Sequence, residues 1–310
     1  MPQTPDLDLT RDALATSTLS HGLHLLGDRW TVALILGAFL GVRRFDEWQT
    51  RLGIPRQTLA ERLKALTELG LLGPRPYQER PPRYDYHLTQ KGMQLYNHVL
   101  MMWAWERRWG SRSLALPQRL VHKTCGHAFV PRMSCSACNE KVGIRDLTFS
   151  LEVNEALRAV PAPRQRGARL TPEEGAQMGL GLRVDRWALL IVSAVLLGCH
   201  YFDQISHVLG IGSSVLARRL AGMVDSGLLL CQPDLNDARR KIYRLTPASN
   251  DLSGYIICFS NWASRFHFHE PSSIRPTHKG CGQPFVPQVV CGHCEEPLLP
   301  WEVVAEGHAG

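Results

Sequence analysis

The stretch Leu52-Gly53-Ile54-Pro55-Arg56-Gln57-Thr58-Leu59-Ala60-Glu61-Arg62-Leu63-Lys64-Ala65-Leu66-Thr67-Glu68-Leu69-Gly70-Leu71-Leu72 decides the fold. Gly53 tolerates backbone angles that other residues resist, and Pro55 is placed to start a helix. Leu59, Leu63 and Leu66 then fall at i, i+4, i+7 on one face of a helix over 56–69, which Gly70 ends. With a short helix expected over 44–52, the reading is helix, tight turn, helix. Farther upstream, Asp28 caps a helix reaching residue 40. Its Trp30, Val32, Leu34, Ile35, Leu36 and Phe39 make it apolar nearly all round and therefore buried. A first helix is expected over 11–27, with Leu14, Leu19, Leu23 and Leu26 on one side. Downstream, Leu71-Leu72 and Tyr84-Asp85-Tyr86-His87-Leu88 read as two strands. The connection between them is rich in proline and arginine, at Arg75, Arg80, Pro81, Pro82 and Arg83, which makes a hairpin with a basic tip, a wing. A long helix over 90–109 closes the unit.

The same unit recurs 157 positions later. Asp28-Arg29-Trp30 returns as Asp185-Arg186-Trp187, Phe45-Asp46 as Phe202-Asp203, and Leu52-Gly53-Ile54 as Leu209-Gly210-Ile211. Arg62-Leu63 returns as Arg219-Leu220, Gly70-Leu71-Leu72 as Gly227-Leu228-Leu229, and Trp105 as Trp262. A chain of 310 residues is long enough for two such domains, each with its own core. The second wing turns at Asn236-Asp237 and carries Arg239, Arg240 and Lys241. Between the copies, Pro161-Ala162-Pro163-Arg164-Gln165-Arg166-Gly167-Ala168-Arg169 has the composition of a linker. Thr171-Pro172-Glu173-Glu174 then reads as the cap, first-turn proline and acidic first turn of the next helix.

With 44% hydrophobic and 20% charged residues, the composition is that of a soluble globular protein. The longest apolar stretch, residues 187–198, falls short of the ~18 residues that would suggest a membrane span. The N-terminal segment carries Asp6 and Asp8 rather than a basic start followed by an apolar core, so a cytoplasmic location without a secretory signal is expected. A net charge of +7 and a pI near 9.0 favour a polyanionic partner. No phosphate-binding loop or nucleophile motif argues for an enzyme.

Each copy ends in His-x2-Cys-x9-Cys-x2-Cys, at His122, Cys125, Cys135 and Cys138 and at His278, Cys281, Cys291 and Cys294, where the spacing between copies is 156. The remaining cysteines, Cys199, Cys231 and Cys258, lie in apolar stretches. Zinc takes four tetrahedral thiolate and imidazole ligands, and a pair two residues apart presents both side chains to one ion. In the first copy His122 and His127 both flank Cys125; the repeat decides between them, because His127 corresponds to Gln283 and His122 to His278. His293 corresponds to Ala137 and is disfavoured. The expectation is two structural Zn²⁺ per chain, each closed by the four ligands of one module, against the plainer alternative of reduced or disulfide-bonded cysteines. The fold class is then mainly α with small β. Residues 1–110 form a first winged helix-turn-helix domain, 111–160 a zinc-ribbon-like module and 161–168 a linker. Residues 169–266 form a second winged helix-turn-helix domain and 267–310 a second module.

Leu26-Gly27-Asp28-Arg29-Trp30, Arg44-Phe45-Asp46-Glu47, Gly53-Ile54, Leu59-x-x-Arg62-Leu63-x-x-Leu66, Gly70-Leu71 and Tyr86-x-Leu88-Thr89-x-x-Gly92 together resemble the HxlR family of winged helix-turn-helix transcription regulators. The likeness runs over about 19–109 and more loosely over 179–262, leaving the cysteine modules outside. It implies dimers whose terminal helices pack together, here expected as a pseudo-dimer within one chain, with a homodimer of such chains left open. Repression is the commoner habit of the family. Some members sense electrophiles or oxidants through a cysteine in the first helix; this chain has Thr16, Ser17 and Ser20 there, so the resemblance implies no thiol sensing.

On a helical wheel the leucines of 56–69 face inward, and Gln57, Glu61 and Lys64 point away, with Arg56 and Thr58 beside them near the helix start. That is the face that would meet base edges in a major groove of double-stranded DNA. Arg62 and its counterpart Arg219 lie on the flank, suited to a phosphate or an internal salt bridge. Wing residues Arg75, Arg80, Arg83, Arg239, Arg240 and Lys241 would supply phosphate contacts. The second reading helix offers Ser213, Ser214 and Arg218 amid Gly212, Val215 and Ala217, which is poor in reading groups. The alternative function is therefore a protein-interaction or sensor module in which the second winged helix has lost DNA readout.

Overall fold

Side-chain caps set where the helices begin. In the computed structural model, which describes residues 5–110, 116–160, 185–234, 237 and 239–307, α1 (Leu7–Ala15) starts at Asp6, whose carboxylate accepts from the Leu9 backbone N–H. α2 (Thr18–Leu26) starts at Ser17, whose hydroxyl oxygen accepts from the Ser20 N–H at 3.0 Å. The single helix expected over 11–27 is thus two, broken where Ser17 turns from helix interior to cap. Asp28 begins α3 (Arg29–Phe39), accepting from the Trp30 and Thr31 N–H groups, both at 3.1 Å. α4 (Phe45–Leu52) and α5 (Arg56–Glu68) meet at Gly53, which has the left-handed φ of 60° that the turn requires.

The wing is longer than its sequence suggests. β1 (Leu72–Gln78) runs antiparallel to β2 (Arg83–Leu88), with Leu72 opposite Leu88 and Arg75 opposite Asp85. β1 passes through Pro74 and Pro76, which is tolerated because β1 pairs only with β2 and its other side is an edge. The long closing helix is also interrupted: Thr89 caps the short α6 (Gln90–Met93), and α7 (Tyr96–Trp109) follows. Then come β3 (Arg119–His122), β4 (His127–Phe129), β5 (Pro131–Cys135), β6 (Leu147–Leu151) and α8 (Glu155–Arg158).

The second copy repeats the plan with α9 (Arg186–Leu196) capped by Asp185, α10 (Phe202–Leu209), Gly210 at φ 58°, α11 (Ser213–Asp225), β7 (Leu229–Pro233) and β8 (Lys241–Leu245). α12 (Pro247–Trp262) continues as a π-helical turn over Ala263–Phe268, and β9 (Ile274–His278), β10 (Pro287–Cys291) and β11 (Val303–Glu306) complete the chain. The expected linker at 161–168, the helix start at Thr171-Pro172-Glu173-Glu174 and Asn236 of the second wing turn lie outside the described residues.

The two copies pack about a pseudo-two-fold axis, and α7 against α12 is its centre. The His98 ring lies on that of Tyr255, its counterpart 157 positions later, with centroids 4.0 Å apart. Trp105 Nε1 donates to the Ala248 carbonyl at 2.7 Å, and Trp262 Nε1 donates to the Lys91 carbonyl at 3.4 Å. Donors and acceptors are again 157 apart, so one hydrogen bond is made twice, as across a symmetric dimer. The N-terminal helices cross to the other copy. α2 packs on α12 so closely that a β-carbon on Gly22 would lie 3.0 Å from the Phe259 ring, and α1 packs on α10 with Asp8 3.1 Å from His207. One apolar core results, joining Leu14, Leu34 and Leu59 to Leu189, Leu216 and Leu252.

The strands after each wing are also exchanged. β5 pairs antiparallel with β10, Met133 opposite Val289; β3 lies between β4 and β11; β6 pairs with β9. The expectation of two self-contained ribbons is corrected here. Every one of these sheets includes strands of both copies, because a three- to five-residue strand satisfies its backbone groups with whichever partner the axis brings alongside.

Three imidazoles are enclosed at this junction. Burial pushes the His98 pKa down to about 3, and burial, helped by Arg186 for His24 and by Lys91 for His267, brings both of those to about 4. All three are neutral in the fold and protonate near 6.5 when unfolded. Stability is therefore complete above 6.5 and falls as the pH drops below it, each loss ceasing to grow once the folded value is passed. For His98, 6% exposed, the loss is about 1.4 kcal/mol per pH unit within that window. The urea midpoint of His98→Leu should change less between pH 6.5 and 4 than that of the parent; equal slopes would show that His98 does not carry the effect.

Candidate nucleic-acid interface and metal centres

The two reading helices are placed alike and differ in chemistry. On α5, Leu59, Leu63 and Leu66 are buried while Arg56, Gln57, Glu61 and Lys64 are exposed and Thr58 is half-buried. Gln57 Nε2 donates to Glu61 Oε1 at 3.0 Å, Lys64 stands 3.8 Å from Glu68, and the Arg56 guanidinium lies over the Phe45 ring. On α11, Leu216, Leu220 and Met223 are buried, and Ser213, Ser214, Ala217 and Arg218 are exposed. The outward position held by Glu61 in one copy is held by Arg218 in the other.

Arg62 and Arg219 turn inward. Arg62 Nε lies 3.3 Å from Asp28 Oδ1, and Arg219 makes the equivalent pair with Asp185. Of the two roles expected for these arginines, the structure makes the internal ion pair. The carboxylates involved are the caps of α3 and α9, so the repeated Asp-Arg-Trp and Arg-Leu motifs form one device that fixes each reading helix to the helix behind it.

On the wings, Arg75, Arg80 and Arg83 are exposed, as are Arg239, Arg240 and Lys241. Arg240 is partly engaged, 4.0 Å over the Tyr201 ring and 3.3 Å from Asp203. The first wing also exposes Tyr77 and Tyr84, at 43% and 42%, and Arg44 lies over Tyr77 while pairing with Asp85 at 3.4 Å. Sequence reasoning missed these tyrosines. The signal was present in an aromatic-and-arginine alternation through a segment read only for its charge.

All eight sequence-selected ligands gather, but in interleaved sets. His122 and Cys125 stand with Cys291 and Cys294; Cys135 and Cys138 stand with His278 and Cys281. This corrects the expected grouping by module, and β5 pairing with β10 is the cause, since it carries each Cys-x2-Cys turn onto the other copy's His-x2-Cys turn. Within each set the ligand atoms lie within 4.8 Å of one another. His122 Nδ1 is 3.6 Å from Cys125 Sγ and 3.3 Å from Cys294 Sγ. His278 Nδ1 is 3.2 Å from Cys281 Sγ and 3.4 Å from Cys138 Sγ, and Cys135 and Cys281 sulfurs are 3.9 Å apart. Edges of that length match a tetrahedron with metal–sulfur bonds near 2.3 Å, for which sulfurs stand about 3.8 Å apart. Both imidazoles turn Nδ1 to the thiols and Nε2 toward a carboxylate, Glu302 at 3.9 Å and Glu140 at 3.8 Å. The His127 backbone N–H draws the Cys125 thiol down to about 6. His127 itself stacks on His293 outside the sets, with Cys125 near both.

Among the described residues no helix is long and apolar enough to cross a membrane. The family model of the HxlR-like helix-turn-helix matches twice, over residues 25–114 and 183–271. An HTH-type transcriptional regulator of Mycobacterium tuberculosis is 39% identical over 144 residues, a match covering 44% of this chain and 91% of the relative. One from Mycobacterium bovis is 38% identical over the same shares, and one from Synechocystis is 31% identical over 85 residues, 27% of this chain and 63% of the relative. Both family segments contain a capped α3 or α9, the helix-turn-helix, the wing and the axial helix described above. The chain belongs to the HxlR-like helix-turn-helix family and carries its domain as a tandem duplication.

Proposed function

We propose that the protein is a DNA-binding transcriptional regulator that acts as a repressor and uses both winged helices of one chain. The observation that carries this is the paired arrangement itself. α5 and α11 each bury a leucine-rich face, expose their N-terminal halves, and are held to one axis by α7 and α12. Family relatives being HTH-type transcriptional regulators supports it. Gln57, Thr58, Glu61 and Lys64 would face bases in one half-site and Ser213, Ser214 and Arg218 in the other. The wing cations Arg75, Arg80, Arg83, Arg239, Arg240 and Lys241 would sit on phosphates. Arg62 and Arg219 act by orienting the helices through Asp28 and Asp185.

We also assign each interleaved Cys3His set as a structural Zn²⁺ site. Three thiolates and one imidazole fill a tetrahedral shell and leave no open position, and the carboxylate beyond each Nε2 orients the ring. When bound, the ion supplies a cross-link between the copies rather than chemistry on a substrate.

If about six phosphates are neutralised, the logarithm of DNA affinity should fall against the logarithm of salt with a slope near −5. A slope near zero on random genomic fragments would end the regulator reading and leave the interaction-module alternative that the sparse face of α11 invites. Because a carboxylate suits cytosine and an arginine suits guanine, selected sites should be imperfect palindromes. Arg218→Ala should cost about 1 to 3 kcal/mol on one half-site only. A perfect palindrome would contradict this.

Metal content discriminates the interleaved grouping directly. Cys125→Ser with Cys291→Ser damages one set, so the protein should keep one of its two zinc equivalents; Cys125→Ser with Cys135→Ser damages both and should keep none. Grouping by module would give the reverse.

A further inference from the structure

Two cavities are related by the duplication and are unequally filled. One, of about 240 Å³, lies beside α3 and α7, where Leu36, Tyr96 and Trp103 stand on its wall. Trp103 Nε1 donates to the Pro117 carbonyl at 2.9 Å, and the Tyr96 ring packs on Phe39. The other, of about 330 Å³, lies beside α9 and α12, and the residues 157 positions later are Ser193, Ser253 and Ser260. Where the first copy has three large side chains the second has three serines, in a wall that also carries Phe149, Leu197, Ile256 and Phe285 and, toward its polar side, Asn261, Ser264 and Ser272. Shortening buried side chains leaves a void that costs stability unless something fills it.

The polar groups on this wall have a definite bias. Ser193 donates to the Leu189 carbonyl at 2.9 Å and Ser253 to the Asn250 carbonyl at 2.5 Å, so their protons are in use. Ser260 Oγ lies 3.2 Å from Thr18 Oγ1. Two cations line the cavity. Arg275 is paired with Glu152 at 2.8 Å, whereas Arg265, exposed at the rim, has no carboxylate partner among the described residues. The size is at the lower end for a small-molecule pocket, which is typically ~300 to 1,000 Å³ and mainly apolar with few polar groups.

We propose that this cavity binds one small aromatic molecule carrying a single anionic group, its apolar body in the space opened by the three serines and its anion on Arg265. The site belongs to the second copy, because in the first Trp103, Tyr96 and Leu36 narrow the related space to about 240 Å³, below the ~300 Å³ of the smallest typical pockets. It stands on the packing of α9, α12 and the β6–β9 pair, and does not depend on DNA binding or metal.

The test uses the full chain with 8-anilinonaphthalene-1-sulfonate as the anionic probe and N-phenyl-1-naphthylamine as its uncharged relative, followed by fluorescence. Each should show one saturable site per chain. Ser260→Trp, which restores the first copy's residue, and Ser193→Leu, which restores its neighbour, should each abolish saturable binding of both probes without lowering the melting temperature. Arg265→Gln should weaken the sulfonate by about tenfold, the scale of one charge-assisted hydrogen bond, and leave the uncharged amine within about twofold. Absence of a saturable site in the parent, unchanged binding in Ser260→Trp or in Ser193→Leu, or equal loss of both probes in Arg265→Gln would each overturn the assignment.

Discussion

The packing of α7 on α12 is the constraint on which the rest of the molecule depends. Two helices from different copies meet with His98 on Tyr255; Trp105 of α7 offers its N–H to the Ala248 carbonyl at the start of α12, and Trp262 of α12 offers its own to the Lys91 carbonyl of α6, just ahead of α7. That contact fixes the axis. The axis sets where α5 and α11 stand and brings β5 alongside β10. The β5–β10 register, in turn, delivers the two Cys-x2-Cys turns to the opposite His-x2-Cys turns. A homodimer must use one surface that complements itself. With both copies in one chain, association is intramolecular and the two sides are free to differ. They do so at the axis, where histidine faces tyrosine, on the reading helices, where Glu61 answers to Arg218, and in the cavities, where Trp103 answers to Ser260.

Within each copy the reading helix is held by charge as well as by leucines. Asp28 accepts two backbone N–H groups of α3 and takes the Arg62 guanidinium as well; Asp185 accepts one, from Ala188 in α9, and takes Arg219. A cap is satisfied and a cation is partnered by one carboxylate, at a half-buried position where either alone would contribute less. Removing the arginine would therefore loosen the helix behind as well as the helix in front.

Local chemistry was legible in the sequence and pairing over distance was not. Gly53 and Gly210 stand in the left-handed conformation their turns need, Asp28 and Asp185 cap as their positions imply, and Leu59, Leu63 and Leu66 face the core. The break at Ser17 was hidden because serine suits both a helix surface and a cap, and only packing on the second copy settles which. The extension of β1 through Pro74 and Pro76 was hidden because proline argues against a strand unless its edge is free. The eight cysteine and histidine positions that gather into two clusters were readable from spacing. Their partition was not, because the two Cys-x2-Cys turns are chemically interchangeable and strand exchange alone decides which histidine each one meets. The serine-lined cavity was unreadable for a related reason: Ser193, Ser253 and Ser260 are scattered on two helices, and their loss of volume has meaning only once the fold puts them together.

The interleaving also governs the order in which the molecule can be completed. While the ribosome is still making the second copy, Cys125 and Cys135 each wait for neighbours more than a hundred residues away. The set containing Cys138 closes only after Cys281 has emerged, and the set containing His122 only after Cys294, near the end of the chain. Contacts of such long sequence separation form late and slowly. Until the second copy is made, His122, Cys125, Cys135 and Cys138 therefore stand without the side chains they meet across the copies.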